Sequence, residues 1–491
     1  MYKKCVMALL SLCFLGFIRP QAFSQTALEG VREISLQETT ELALRNNFDI
    51  QLAKYDIQIS RLNIQSAKSV YDTILEAEAS HTKDKLASNS ILAAGKTMSQ
   101  DYSIGLSKKL PTGTTVSLDQ TAGREWADSS AVTWKPAYEA KTQLTLEQEL
   151  GKNFFGLNDR GNVKVAIKDV ENADFISFDK IEAALGSVQK SYWNFVFLYE
   201  ALDIRREILE QAQRLYEIDQ ERFKHGLVER PQLLGSDANY QTKQADLALA
   251  RNAVAAGGNV LKLQLNIDDD EVALRPAEKF VLPDHHVSLL DSMALALKNR
   301  RDYLKAMNEI ERRDILLEMK KNSVWPEINI QASFARNGIG DDFTDAINKI
   351  SEEDNPEFFA SVSFSMPLEN RAARSEKKQA EFQKARALLN AKYAERKVAI
   401  EIIDQVKACD VAYERLQYLV NAADLQTQKA LEQEKIFKQG RSNSDIVIQY
   451  QDDALLARMN AASAFYDYYA AMIELKRREG TLLNVYWDGE I

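Results

Sequence analysis

The chain has 491 residues and an acidic balance, with 62 Lys and Arg against 72 Asp and Glu and a formal net charge of −10. This length accommodates one large domain or several ordinary ones. The negative charge gives no electrostatic support to nucleic-acid binding, so we expect no nucleic-acid partner.

The N-terminus has the features of a secretory signal peptide. Two lysines precede an apolar stretch from Cys5 to Ile18, and Ala22-Phe23-Ser24 offers a small-x-small cleavage site. The apolar stretch is short for a membrane anchor, so we predict a signal peptide over residues 1–24. Its removal would leave Cys409 as the one cysteine, which excludes a disulfide framework.

The first half of the mature chain changes from a helical period to a period of two. An amphipathic pattern runs from Ser35 to Asn47 and continues through Ile64, and around Tyr71 the alternation begins. It predicts strands within Leu75–Ala79, Tyr102–Leu106, Val116–Leu118 and Tyr138–Leu146. The segments between them are predicted as loops or turns: Leu86–Ser99, Pro111–Gly113 and Ala122–Lys135, the last with Trp126 and Trp134. The hairpin candidate around Asp101–Gln120 leaves open whether each chain supplies four strands or six.

Two very long helices follow, one in each half. Residues from Asn162 to His225 contain no Pro and only Gly186, and after a break at Gly226–Pro231 a second helix reaches Leu265. Residues from Arg371 to Gln439 contain neither Pro nor Gly, which allows a helix of about 100 Å at ~1.5 Å per residue. Gly440 ends it, and a last helix runs from Ser444 to about Gly480.

The segment between these helix pairs contains further elements. Asp268–Glu271 is predicted as a surface charge run and His285-His286 as a solvated loop. Ser288 begins an amphipathic helix that reaches Val324 and ends at Trp325-Pro326. A strand over Ile328–Phe334, a polar loop over 338–355 and a strand over Phe358–Met366 complete the segment. Trp325 is expected either to anchor at a membrane interface or to be buried.

Apolar residues of the second long helix follow a heptad pattern. They step alternately by four and three residues, and they are Ile402, Val406, Cys409, Tyr413, Leu416, Val420 and Ala423. This 3.5-residue period predicts a left-handed coiled coil with partner helices. Cys409 is therefore expected to be a small buried hydrophobe.

The two halves of the chain are internally similar. Ser35 aligns with Ser288 at an offset of 253 residues, at which Ala43-Leu44 also meets Ala296-Leu297 and Ala79 meets Ala332. A second block repeats at an offset of 214 residues and aligns Gly226 with Gly440. We predict two structural repeats, residues 25–287 and 288–491, each with a helix, strands, a very long helix, a Gly turn and a helix.

The strands separate apolar from small polar positions, which is typical of a membrane β-barrel. Too few strands exist in one chain to close a wide barrel, so we expect oligomerisation to close it. The alternative is a soluble antiparallel sheet. Such a sheet would need a second apolar layer to pack against, and the sequence offers none.

In this order of elements, the chain resembles the TolC family of outer-membrane efflux and export proteins. The resemblance rests on 296–304 (ALKNRRDYL), 362–368 (VSFSMPL) and the turns at 225–228 (HGLV) and 439–442 (QGRS). It implies an α+β membrane protein: a homotrimer whose strands form one β-barrel in the outer membrane, continuous with a coiled-coil helical tunnel through the periplasm. It also implies a passive conduit from periplasm to exterior, in a tripartite efflux or type I secretion system.

The partners that the resemblance implies are outer-membrane lipid, a periplasmic adaptor (membrane fusion protein) and an inner-membrane pump or ABC exporter. The adaptor-docking tips would be Gly226, Leu227 and Val228 in the first repeat and Gly440, Arg441 and Ser442 in the second.

Asp445 corresponds to an acidic ring that constricts the pore in this family. A second ring position falls near Ile448, which is not acidic. Alternatively, Asp445 caps a helix, because Ser442-x-x-Asp445 has capping-box spacing. Both roles stay open.

No sequence motif supports catalysis, a metal site or a cofactor, so we expect a protein that is not an enzyme. The alternative function is a periplasmic coiled-coil adaptor or structural protein of an envelope complex. Full-length duplication argues against it, because an adaptor needs one helical hairpin flanked by small β-domains.

Overall fold

The structure, a computed structural model, describes residues 31–85, 96–128, 136–269 and 272–484. Within these ranges the helices are α1 (Leu36–Asn46), α2 (Phe48–Lys68), α3 (Leu157–Lys224), α4 (Arg230–Leu265), α5 (Leu289–Asn299), α6 (Arg301–Asn322), α7 (Phe343–Glu352), α8 (Arg371–Lys438) and α9 (Ser444–Glu479). The strands are β1 (Arg32–Ile34), β2 (Thr73–Asp84), β3 (Thr97–Lys109), β4 (Thr114–Ala127), β5 (Ala137–Glu149), β6 (Leu274–Pro276), β7 (Glu327–Gly340) and β8 (Pro356–Ser365). The predicted signal peptide, residues 1–24, lies outside the described residues.

Both predicted long helices are confirmed. The helices α3 and α8 have 68 residues each, and each is followed, after a Gly turn, by a helix of 36 residues, α4 or α9. No described helix combines the length and the apolar character that crossing a membrane would require.

The duplication extends to a helix break that the sequence analysis did not predict. The helices α1 and α2 meet at Asn47, and α5 and α6 meet at Arg300, where the backbone ψ angles of 129° and 119° leave the helical region. The 253-residue offset aligns these two positions. Arg300 is fixed there by ion pairs with Asp302 (2.8 Å) and Glu401 (2.6 Å). The single helix predicted from Ser288 to Val324 is therefore wrong. The chain is an internally duplicated α+β protein, while the repeat boundaries at 287 and 288 stay a prediction.

The long helices pack side by side in two sets. Next to the sheet, α2 packs on α3, α3 on α6 and α6 on α8; towards the Gly turns, α4 packs on α3, α3 on α9 and α9 on α8. The heptad positions Ile402, Cys409 and Leu416 are fully buried. Burial raises the pKa of the Cys409 thiol to about 11, and its sulfur lies 3.4 Å from the carbonyl oxygen of Ala471, as expected for a small core residue.

Within the described ranges, six strands form one antiparallel sheet in the order β2-β3-β4-β5-β7-β8, so this part of the chain supplies six strands rather than four. Residues that pair across antiparallel strands share a face. One row of paired positions is apolar and exposed in all six strands: Leu75, Leu106, Leu118, Leu144, Phe334 and Phe358. The opposite face carries Glu76, Asp119, Gln143 and Glu357 in one row. The sheet therefore has one apolar face and one aqueous face.

Two predicted loops contain regular structure. The strand β4 runs to Ala127, so Trp126 lies in a strand, and β3 begins at Thr97 within the other predicted loop. The rest of those loops, residues 86–95 and 129–135 with Trp134, lies outside the described residues. Gly123 made the start of the predicted loop Ala122–Lys135 resemble a turn. In the structure, its missing side chain leaves room for the carboxylate of Asp101 on the paired strand.

The predicted polar loop over 338–355 contains the helix α7. Asp342 caps it by accepting a hydrogen bond from the Asp345 backbone N–H (2.8 Å), and Ala346 is fully buried against the sheet. Phe343 packs edge-on against Tyr138, with ring centroids 4.9 Å apart. Gly338 forms part of the seat, because a Cβ there would lie 2.3 Å from the Ala346 carbonyl oxygen.

The connection between the repeats is fixed to the helices. Strand β6 pairs in parallel with β1, and Phe280 stacks on Phe465 at 5.0 Å. His285 was predicted as solvated, but its Nε2 lies 2.9 Å from an Asp410 carboxylate oxygen and its ring stacks on Tyr413 at 4.7 Å. The prediction is wrong because its partners come from a helix more than a hundred residues away in sequence.

Candidate functional site

The first predicted tip is the turn between α3 and α4. Gly226 has a φ of 69°, and the Leu227 N–H donates to the Arg222 carbonyl oxygen (2.9 Å) across it. An added Cβ at Gly226 would meet no atom within 4 Å, so the left-handed backbone alone requires glycine. Leu227 is 73% exposed and Val228 is half-buried.

The second predicted tip repeats this geometry between α8 and α9. Gly440 has a φ of 74°, and the Arg441 N–H donates to the Ile436 carbonyl oxygen (3.2 Å). Arg441 is exposed, and the half-buried Ser442 accepts a hydrogen bond from Gln433. The two turns lie side by side, because the Arg222 guanidinium stacks over the Phe437 ring at 4.2 Å and donates to its carbonyl oxygen at 3.0 Å.

Asp445 lies exposed in the first turn of α9. The predicted capping box is wrong: Asn443 is the N-cap, and its side chain accepts from the Ile446 N–H at 3.1 Å. Asp445 still stands where the helix dipole favours a negative charge. Ile448, near the second expected ring position, packs with Leu215, Phe437 and Val447 inside the chain.

Next to Asp445 is a buried polar cluster that the sequence analysis missed. Asp219, Ser236 and Ser444 are each fully buried, and they come from α3, α4 and α9. Ser444 donates to an Asp219 carboxylate oxygen at 2.5 Å and accepts from Gln232 at 2.8 Å. The sequence did contain a sign of this cluster, because Asp219 falls on the next heptad core position after Ile208, Ala212 and Leu215. A polar residue at a core position fixes how neighbouring helices align, at a cost in stability.

Burial raises the pKa of Asp219 above its ordinary value, and the nearby Asp445 carboxylate adds to this. A buried carboxylate with few donors opposes folding when it ionises. The cluster therefore holds the hairpin of α3 and α4 to α9 most tightly when Asp219 is protonated.

A second candidate feature is a pair of open edges on opposite sides of the chain. In the described chain, β2 pairs only with β3 and β8 only with β7. The helix α2 leads into β2, and β8 leads into α8, so each open strand continues into a helix on the same side.

Both edge helices carry an exposed apolar stripe at coiled-coil spacing. On α2 the stripe is Phe48, Leu52, Tyr55, Ile59 and Leu62, each between 57% and 63% exposed. On α8 it is Leu389, Tyr393, Ile400, Val411, Tyr418 and Leu425, all exposed. Such stripes are the seams of coiled coils whose partner helix is missing.

Trp325 lies between α6 and β7 and is 63% exposed, so it is not buried within the chain. Its role as a membrane-interface anchor stays a prediction. Among the described residues, no group of three or more His, Cys, Asp or Glu side chains lies where it could hold a metal ion.

Comparison with known proteins identifies the fold. Residues 39–265 match the family model described as outer membrane efflux protein. The chain superposes on the Campylobacter jejuni CmeC outer membrane channel with a TM-score of 0.67 and 15% identity, covering 91% of this chain and 85% of that one. It is similar to the Vibrio cholerae outer membrane protein VceC (TM-score 0.67, 14% identity, 91% and 96% covered). It is also similar to the Neisseria gonorrhoeae MtrE outer membrane channel (TM-score 0.66, 15% identity, 91% and 89% covered). No curated protein matches the chain by sequence.

To test the buried cluster, we expect Asp219→Asn to remove a pH-dependent cost. The ionised carboxylate opposes folding, so wild-type stability falls as pH rises from the ordinary value of 3.8 through the raised folded value. The variant should unfold at a higher temperature than wild type at about pH 7.5, and the difference should vanish near pH 4.

The measurement is thermal unfolding followed by intrinsic fluorescence across this pH range. Asp404→Asn, an exposed position on α8, is the control and should shift nothing. A constant difference between Asp219→Asn and wild type at all pH values would contradict the account.

Proposed function

Because residues 39–265 match the outer membrane efflux protein model and the fold is that of outer-membrane channels, we propose that the chain is the outer-membrane channel of a tripartite efflux or type I secretion system. In this function it conducts cargo passively from the periplasm to the exterior. An inner-membrane pump or ABC exporter supplies the energy, and a periplasmic adaptor connects the two.

The observation that carries the proposal is the pair of open edges. A strand with unpaired backbone groups cannot stay unpaired in a bilayer, because each unsatisfied group costs several kcal/mol there. The edge of β2 and α2 can pair with that of β8 and α8, since each offers an unpaired strand and an apolar helix stripe. Joining unlike edges of successive copies closes a ring.

Antiparallel alternation also suits closure. Six strands per copy is an even number, so β8 of one copy runs antiparallel to β2 of the next. The edges require only a closed ring; that the ring has three copies rests on the resemblance to the TolC family. In this homotrimer the apolar sheet face contacts outer-membrane lipid, the acidic face lines water, and the helices extend into the periplasm.

The two Gly turns are proposed as the docking site of the adaptor. Leu227 and Arg441 project from adjacent turns, and their exposure leaves apolar and cationic groups available to a partner. Gly226 and Gly440 give both turns the same form, while Val228 and Ser442 complete the two tips.

Asp445 is proposed to form the constriction. Three copies around the axis would bring like charges together and favour cations. Since Ile448 is packed inside the chain, one acidic ring is expected and not two. No observation favours the adaptor alternative, which requires one hairpin; the described residues hold two long hairpins and a six-stranded sheet.

The edge proposal predicts that Leu52→Glu with Ile59→Glu abolishes assembly. The carboxylates would be buried without partners in the seam between copies, at several kcal/mol for each interface. Native mass spectrometry of detergent-purified protein should find monomers in place of trimers. Gln65→Glu adds a charge on α2 outside the stripe and should leave trimers intact. Trimers in both variants would exclude this seam.

The constriction proposal predicts that Asp445→Ala weakens cation preference in single-channel recordings in planar bilayers, because a ring of three carboxylates is lost. Asn443→Ala removes the N-cap, at a cost of about 1 kcal/mol to the helix, and should leave selectivity unchanged. Unchanged selectivity in the Asp445 variant would leave that residue only a role at the helix N-terminus.

A further inference from the structure

The hairpin of β3 and β4 has no counterpart among the described residues of the second repeat, 288–484. At the 253-residue offset β2 corresponds to β7, and at the 214-residue offset β5 corresponds to β8. The change in offset falls between β2 and β5, where the first repeat has extra sequence. The basic repeat therefore contains two strands, and β3 and β4 are an insertion.

The insertion is fully part of the sheet. It pairs with β2 from Thr73↔Lys108 to Asp84↔Thr97, and with β5 from Thr114↔Gln148 to Glu125↔Ala137. Leu106 and Leu118 continue the apolar row, while Ser103, Ser107, Ser117 and Thr121 face the aqueous side. The hairpin therefore places apolar side chains on one face and small polar side chains on the other, as do the strands on both sides of it.

The turn of the hairpin is fixed where the sheet meets α3. Gln148 donates to the Thr112 carbonyl oxygen (3.0 Å), and Arg160 donates to the Pro111 carbonyl oxygen (2.7 Å). Lys109 forms ion pairs with Glu149 (3.3 Å) and Asp159 (2.9 Å). These contacts exclude a hairpin that hangs freely from the sheet.

The widths of the two parts of the tube explain the insertion. Four helices (α2, α3, α6 and α8) stand side by side next to the sheet and, at ~8–10 Å each, cover an arc of ~32–40 Å. Six strands spaced at ~4.8 Å and tilted by ~40° cover ~38 Å, whereas four strands cover only ~25 Å. The hairpin makes the sheet as wide as the helical layer below it.

We infer that the hairpin of β3 and β4 sets the bore of the exit, so that cargo as bulky as the helical tunnel admits leaves without a second constriction. This inference rests on the trimer of the proposed function. Three copies of six strands form an 18-stranded barrel with a Cα diameter of ~36 Å, against ~24 Å for 12 strands. Short serine and threonine side chains on the hairpin keep this bore open.

The test compares wild type with a variant that lacks residues 87–134. Leu75 and Leu144 share one row across β3 and β4, so β2 can pair directly with β5 in the same register after the deletion. Electron cryo-microscopy of both proteins in lipid nanodiscs should count 18 strands in wild type and 12 in the variant. In planar bilayers, the largest polyethylene glycol admitted from the extracellular side should be at least about 1.5-fold smaller in radius for the variant.

A wild-type trimer with 12 barrel strands and the hairpin folded into the lumen would overturn the inference and leave the channel function standing. Wild-type protein that forms neither a ring nor a pore would overturn both. If the variant does not fold, the wild-type strand count decides alone.

Discussion

The unpaired backbone along β2 and β8 is the constraint on which the rest of the structure depends. The sheet between them is apolar on one face in every strand, and in the bilayer of the proposed channel an open edge is untenable. The proposed ring solves this with further copies of the chain, because joining β2 of one copy to β8 of the next pairs both edges. The exposed stripes on α2 and α8 extend the same solution from the sheet into the helices.

Duplication explains why the two edges fit. Each repeat begins with a broken helix pair, continues into strands and returns through a helix of 68 residues. In the proposed ring, the second repeat of one chain would therefore meet the first repeat of the next chain. That contact would resemble the contact between the two repeats within one chain. The inserted hairpin changes the width of the sheet without changing this logic, because adding two strands preserves the antiparallel alternation.

The extent to which sequence predicted the fold follows from the range of the interactions. The bounds of α8 and α9 were predicted within one residue, because Gly440 and the absence of Pro and Gly act locally. The helix α7 was missed because its packing partner Tyr138 lies on β5, far away in sequence, and His285 because its partners lie on α8 and α9. At the tips, Ser442 and Asn443 are both good caps, and only the backbone selects Asn443. Asp219 was readable as a charge on a heptad core position, but its partners Ser236 and Ser444 were not.

Amide hydrogen exchange of the purified, detergent-solubilised protein tests the closing of the edges most directly. If copies join β2 to β8, the backbone N–H groups on the open edges of both strands become hydrogen-bonded. Their hydrogens should then exchange as slowly as those of β4 and β5 in the middle of the sheet. In the same assembly, the apolar stripe of α2 should be covered by a neighbouring copy and so become inaccessible to solvent. Fast exchange along β2 and β8, with slow exchange confined to the inner strands, would contradict the account.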